Sequence, residues 1–66
     1  FKTIIPNHFN KHWHNFIEQN YLIKGRLKDC KRTYNTGEWI RYESLEPHFI
    51  DNLTNEPAEI IVIFTR

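Results

Sequence analysis

Five consecutive apolar residues, Ile60-Ile61-Val62-Ile63-Phe64, stand near the end of this 66-residue chain and dictate most of what it can become. β-Branched and aromatic side chains without a polar interruption favour a strand. A strand that is apolar on both faces belongs between two packed layers or at a seam between chains. The rest of the sequence agrees with that class. Aromatic residues make up 15%, there are only two glycines, and no long stretch carries a 3.6-residue period, so short strands are expected rather than helices. The strands read as Thr3 to Ile5, Phe9 to His14, Ile17 to Lys24, Arg26 to Cys30, Glu38 to Tyr42, His48 to Asp51 and Ala58 to Thr65. Turns are signalled at Ile5-Pro6-Asn7, Lys24-Gly25, Tyr34-Asn35-Thr36-Gly37, Glu46-Pro47 and Asn52 to Pro57. The expectation is an all-β sandwich or barrel in a single domain spanning residues 1–66, with no internal repeat or linker.

A domain this small buries only roughly 60% of the surface its unfolded chain exposes and needs a supplement to its core. One cysteine, Cys30, cannot close an intrachain disulfide, which leaves a metal or a second copy of the chain. Nine Lys and Arg are interspersed with eight Asp and Glu, so no basic face invites nucleic acid or an acidic membrane. No apolar run is long enough to cross a bilayer as a helix, and the first residues do not resemble a secretory signal. A cytoplasmic protein is expected. The sequence opens on Phe1 rather than Met, as a trimmed piece of something longer would.

Chemistry concentrates between Asn7 and Glu18, where three of the four histidines and a carboxylate fall together. On a strand His12 and His14 share a face, about 7 Å apart. Asn15 sits in the short gap before Glu18, where a turn brings the carboxylate back over that face. Two imidazoles and a carboxylate bind Fe, Mn, Ni, Zn or Cu and leave coordination positions open. His48, at the start of another strand, supplies a fourth donor from across the fold. The competing readings are an exposed polar pair flanking a core Trp13, a solvated Glu18 or one beside the metal, and a turn residue at His48.

These positions resemble the cupins. The first cupin motif is Gly, five residues, His-x-His, three or four residues, Glu, six residues, Gly. His12, His14, Glu18 and Gly25 match it, with Pro6 in place of the leading Gly. The second motif is Gly, five residues, Pro, one residue, Gly, two residues, His, three residues, Asn. Gly37, His48 and Asn52 match it, with Glu43 for the Pro and Leu45 for the second Gly. The resemblance covers Pro6 to Asn52, and Gly37 to Arg41 followed by His48 is similar to compact cupins allied to the cupin-like domain of zinc-binding anti-sigma factors. It implies a minimal jelly-roll barrel, or double-stranded β-helix, with His12, His14, Glu18 and His48 around one divalent transition ion. An exposed sheet edge would be covered by a second copy, making a homodimer.

Two functions follow from that resemblance. One is a small metal-dependent enzyme, a dioxygenase, isomerase or lyase acting on a small polar substrate. The alternative is a noncatalytic cupin whose metal or ligand serves stability, sensing or regulation of a partner. Among the remaining residues, Asn20 shares the parity of Glu18 and is expected inside, in need of a hydrogen-bond partner. His8 and Arg41 are expected at the surface and Tyr42 in the core. Trp13, Phe16, Trp39, Phe49 and Phe64 are expected as core, with Cys30 a small core or strand residue.

Overall fold

The computed structural model describes residues 1–12 and 15–65, with the backbone alone for residues 9–12. Eight strands are found among them: β1 (Lys2–Ile5), β2 (His8–His12), β3 (Ile17–Lys24), β4 (Arg26–Lys28), β5 (Thr33–Asn35), β6 (Trp39–Tyr42), β7 (His48–Asn52) and β8 (Ala58–Thr65). No described segment is a helix, and so none is long and apolar enough to cross a membrane. β5 is the strand that the sequence reading assigned to a turn. At three residues it is too short to carry an alternating pattern, and it forms because the β4–β5 turn presents it to β4.

The strands form two antiparallel four-stranded sheets, one in the order β1-β8-β3-β6 and the other in the order β2-β7-β4-β5. Pairing joins β1 to β8, β2 to β7, β3 to β6 and β4 to β5. Every connection except the β4–β5 hairpin therefore passes from one sheet to the other. Backbone pairing leaves two open sheets among the described residues, with no ladder closing them into a barrel.

The core lies between the sheets. Ile5, Leu22, Ile40, Tyr42, Ala58, Ile60 and Val62 enter it from the first sheet, and Leu27, Tyr34 and Ile50 from the second. The large aromatics are mostly elsewhere. Trp39 and Phe64 are 52% and 45% exposed, and Phe16 and Phe49 are half-buried, whereas Trp13 lies outside the described residues. Strand parity explains the reversal: Ile40 and Tyr42 point inward from β6, which sends Trp39 outward to lie against Tyr21. Cys30 is likewise exposed, because β4 ends at Lys28 and the chain is already turning.

β8 also differs from a strand buried on both faces. Ala58, Ile60 and Val62 are buried, but Ile61 and Ile63 on the opposite face are exposed. Ile61 is registered with Tyr21, and Tyr21 with Trp39, so an apolar row crosses β8, β3 and β6 on the outside of the first sheet. A further layer on that face would complete the burial; no described segment supplies one.

Asn52 ties two loops together at one end of the sandwich. Its amide donates to the carbonyls of Ile5 (2.9 Å) and Glu56 (2.7 Å), while its Oδ1 accepts from the Thr54 backbone N–H at 2.8 Å. The β1–β2 turn and the β7–β8 loop are thereby held by one side chain.

Three described residues have positive φ: Gly25, Gly37 and Leu45. Gly25 is required twice over, by its φ of 111° and by Ala58, whose Cβ would lie 2.8 Å from any Cβ placed there. Leu45 has no such excuse. It is the third residue of a turn closed by the Glu46 N–H on the Glu43 carbonyl, and its φ of 64° is one that turns of this kind assign to Gly. Leu45 is also 58% exposed, so its side chain contributes little packing to offset the strain. Leu45→Gly is expected to stabilise the fold by about 0.5–1 kcal/mol, raising the melting midpoint by roughly 2–8 °C. An unchanged or lower midpoint in a thermal melt would show that the turn is not strained.

Candidate metal centre

β3 carries an inverted pattern. Its inward positions are Glu18, Asn20 and Leu22, while Ile17, Tyr21 and Ile23 face away from the core. A one-residue slip would bury the apolar set and release the carboxylate to water. The register with β6 and β8, Glu18 opposite Tyr42 and Phe64 and Asn20 opposite Ile40 and Val62, holds the polar pair inside instead.

Across the sandwich, His48 is fully enclosed at the start of β7. Its ring is fixed three ways. Tyr42 from the opposite sheet stacks on it with centroids 3.8 Å apart and planes within 2°. Its Nδ1 lies 3.1 Å from the Glu46 carbonyl, an acceptor only, so the proton sits on Nδ1. Nε2 then faces Glu18, with Oε1 at 3.8 Å. The other carboxylate oxygen, Oε2, accepts from Asn20 Nδ2 at 2.7 Å.

The loop that supplies the Glu46 carbonyl is itself anchored. Glu46 accepts from the Glu43 N–H at 2.9 Å and pairs with Lys31 Nζ at 2.5 Å. The hydrogen bond to Lys31 holds the Glu46 carboxyl below its usual range and raises the Lys31 ammonium above its own.

Tyr42 continues the chain of contacts. Its hydroxyl donates to Asp29 Oδ2 at 2.8 Å, and Asp29 Oδ1 accepts the backbone N–H groups of Lys31 and Arg32 at 2.8 and 3.0 Å. Asp29 is buried in the β4–β5 turn. Burial by itself would raise its pKa, but donors from Arg32, Tyr42, Lys31 and Tyr34 outweigh that and lower it. Burial and the neighbouring carboxylate push the Tyr42 hydroxyl up, so it stays a donor at any physiological pH. Asp29 was missed by the sequence reading; an Asp opening a turn with two free backbone N–H groups ahead of it was the available signal.

Of the four proposed ligands, Glu18 and His48 are thus brought face to face from opposite sheets. His12 is described by its backbone alone, which pairs with His48 across the β2–β7 ladder after a register shift following Phe9. His14 lies outside the described residues. No group of three His, Cys, Asp or Glu side chains suited to an ion is found among the described residues. The donors that are described fit one. A buried imidazole anchored through Nδ1–H to a backbone carbonyl, with its Nε2 facing a carboxylate held by a second hydrogen bond, is how protein matrices commonly hold a metal-binding histidine.

A cavity of about 230 Å³ adjoins Glu18 and Asn20. It opens between the sheets and is otherwise lined by Phe1, Thr3, Ile50, Ile60, Val62 and Phe64. Asn20 is fully buried, and its Oδ1 has no hydrogen-bond donor among the described residues, an arrangement that costs about 1–3 kcal/mol if left as it is. His8 and Arg41 stand outside this site, as expected, paired with Asp51 and Glu43 at the surface. No protein-family model matches the chain, and comparison with curated proteins finds no match.

Removing the Tyr42 hydroxyl should expose how much the fold depends on Asp29. Tyr42→Phe is expected to destabilise by about 1.5–3 kcal/mol, the range for a hydrogen bond to a buried charge. Folding lowers the Asp29 pKa below its unfolded value of about 3.9, so this contribution is complete above about pH 5 and disappears as pH falls through the folded value. Denaturant midpoints measured across that range should fall less steeply toward acid in Tyr42→Phe than in the wild type. Parallel curves would remove Asp29 from the acid sensitivity of the fold.

Proposed function

We propose that this chain is a minimal cupin that holds one divalent transition ion between its sheets and presents it to a small molecule in the adjoining cavity. The ligands are His12, His14, Glu18 and His48, and the ion is Fe, Mn, Ni, Zn or Cu. The observation that carries the reading is the anchoring of His48: its Nδ1–H is committed to Glu46, its plane to Tyr42, and its Nε2 is directed at Glu18. When bound, such an ion acts as a Lewis acid toward an oxygen of the small molecule.

Two features of the fold support the cupin reading. Pairing β1 with β8, β2 with β7, β3 with β6 and β4 with β5, alternately in opposite sheets, is the connectivity of a long hairpin wound into a jelly roll. The three positive-φ residues, Gly25, Gly37 and Leu45, are the three positions downstream of the His-x-His pair where the cupin motifs carry glycine. Leu45 has kept the backbone of the glycine it replaces.

The cavity beside Glu18 favours an ion that meets a ligand over one that only cross-links the sheets. This chain's own part is to hold the ligands, to keep Glu18 oriented through Asn20, and to shield the centre with Ile50, Ile60 and Val62. The exposed, unbridged Cys30 suits a reducing compartment, in keeping with a cytoplasmic location. Titration with Zn²⁺ and Co²⁺ is expected to give one ion per chain, with His48→Ala and Glu18→Gln each weakening affinity by about tenfold or more. A chelator should lower the melting midpoint of the loaded protein. Undiminished affinity in both variants would refute the ligand assignment.

The partner in this reading is a second copy of the chain, docked on the outer face of the first sheet. Ile61, Tyr21 and Trp39 form the centre of that face, with Ile4 and Ile63 beside them and the Lys2–Glu59 ion pair at its margin. Sedimentation at about 10–100 μM should show a dimer, and Ile61→Lys should return it to monomer. A wild-type monomer throughout that range would exclude the dimer.

A further inference from the structure

The β4–β5 turn holds no proposed ligand and does not line the cavity beside Glu18, yet two of its side chains lead to the same imidazole. The turn is closed by the Asp29 N–H on the Arg32 carbonyl at 3.1 Å, and Asp29 Oδ1 accepts the Lys31 and Arg32 N–H groups within it. One arm leaves from Asp29 Oδ2, which takes the Tyr42 hydroxyl and so holds the ring that stacks on His48. The other leaves from Lys31, whose Nζ meets Glu46 Oε2 at 2.5 Å, and the carbonyl of Glu46 lies 3.1 Å from His48 Nδ1. The first arm sets the plane of the imidazole and the second sets its proton.

The proton matters because an imidazole ligates through the ring nitrogen that does not carry it. Nδ1–H on the Glu46 carbonyl makes Nε2 that nitrogen. Nε2 also lies 3.8 Å from Glu18 Oε1, and an ionised carboxylate is a stronger acceptor than a carbonyl. If the Glu46 carbonyl withdraws, the proton moves to Nε2 and toward Glu18. That carbonyl stands in a strained loop, directly after Leu45 with its φ of 64°. Glu46 Oε1 takes the Glu43 N–H inside the loop; among the described residues, Lys31 is the contact that ties the Glu46 side chain to another element.

We propose that Lys31 is a positioning residue: by holding Glu46 to the β4–β5 turn it keeps the His48 proton on Nδ1 and turns Nε2 to the ion. The effect on the ion rests on the proposed metal centre, whereas the place of the proton is a property of the metal-free chain. The competing reading is an exposed ion pair that steadies the loop and does nothing to the ring. Lys2 and Glu59, paired at 2.9 Å and similarly exposed, supply the comparison.

The test is the ring ¹⁵N spectrum of His48 in the metal-free full chain at about pH 8, above the ordinary imidazole value of about 6.5. The wild type should show Nδ1 protonated and Nε2 unprotonated. Lys31→Met should bring in the Nε2–H form and weaken Zn²⁺ binding about three- to tenfold, less than the loss of a group bonded directly to the ligand. Lys31→Arg should restore both. Glu46→Gln breaks the same pair from the other side and should reproduce Lys31→Met, which keeps the test open if one variant fails to fold. Lys2→Met should leave the ring unchanged. A wild-type ring protonated at Nε2, a spectrum unchanged in Lys31→Met and Glu46→Gln, a shift that leaves Zn²⁺ affinity as it was, or an equal shift in Lys2→Met would overturn the proposal. Normal Zn²⁺ binding by the wild type without the ring shift removes the positioning role alone, and the ring shift in a chain that binds no Zn²⁺ removes the metal centre alone.

Discussion

The stacking of Tyr42 on His48 is the contact on which the rest of this sandwich depends. It is made across the two sheets, and each ring carries a polar link onward: Tyr42 to Asp29 in the β4–β5 turn, and His48 to the Glu46 carbonyl in the β6–β7 loop. From His48 the line passes to Glu18 and on to Asn20. Five polar or amphipathic side chains thus cross the core in sequence, where a chain of this size would ordinarily place Leu or Ile. Such groups belong inside only when their hydrogen bonds are made, since each unpaired one costs more than its burial returns. Asp29 is satisfied by the Tyr42 hydroxyl and the Lys31 and Arg32 backbone N–H groups, with Tyr34 adding to them, and Asn20 is the member left with an open acceptor among the described residues.

Placing that network inside has a consequence on the other side of the first sheet. Strands alternate, so the inward Glu18 and Asn20 send Ile17, Tyr21 and Ile23 outward. β8 follows the same logic, burying Ile60 and Val62 and exposing Ile61 and Ile63. The polar interior and the apolar exterior are one decision, made by the register of β3 between β6 and β8. A fold that spends its inward positions on a carboxylate and an amide loses apolar burial it could otherwise have had. That loss is what the proposed ion or second copy of the chain would make good.

The loops repeat the pattern at the level of the backbone. Gly25 lets the chain pass against Ala58, and Gly37 closes the β5–β6 turn. Leu45 adopts the same left-handed conformation with a side chain attached, in the loop whose carbonyl sets the tautomer of His48. The turn takes this geometry with a residue poorly suited to it, and in doing so places the Glu46 carbonyl against His48.

Much of this was legible in the sequence. The inward parity of Glu18, and of Asn20 with it, is an expectation carried by the cupin resemblance and runs against the apolar alternation of β3. The all-β class, the limits of β3 and β8 and the core position of Tyr42, by contrast, follow from periodicity and from the two-residue repeat of a strand. These are local properties, carried by neighbours along the chain. What only the tertiary structure decided is everything that depends on which strand lies beside which. β5 exists because a turn built on Asp29 returns it to β4; Trp39 faces outward because Ile40 and Tyr42 took the inward positions; Phe64 keeps the inward parity of Ile60 and Val62 yet stands 45% exposed near the end of β8; and His48 meets Glu18 because the connections pass between sheets. Hydrophobicity marks a residue for burial without saying which face of its strand will be covered. That choice is made by pairing between strands distant in sequence, and here it favoured the hydrogen-bonded polar line over the larger aromatic side chains.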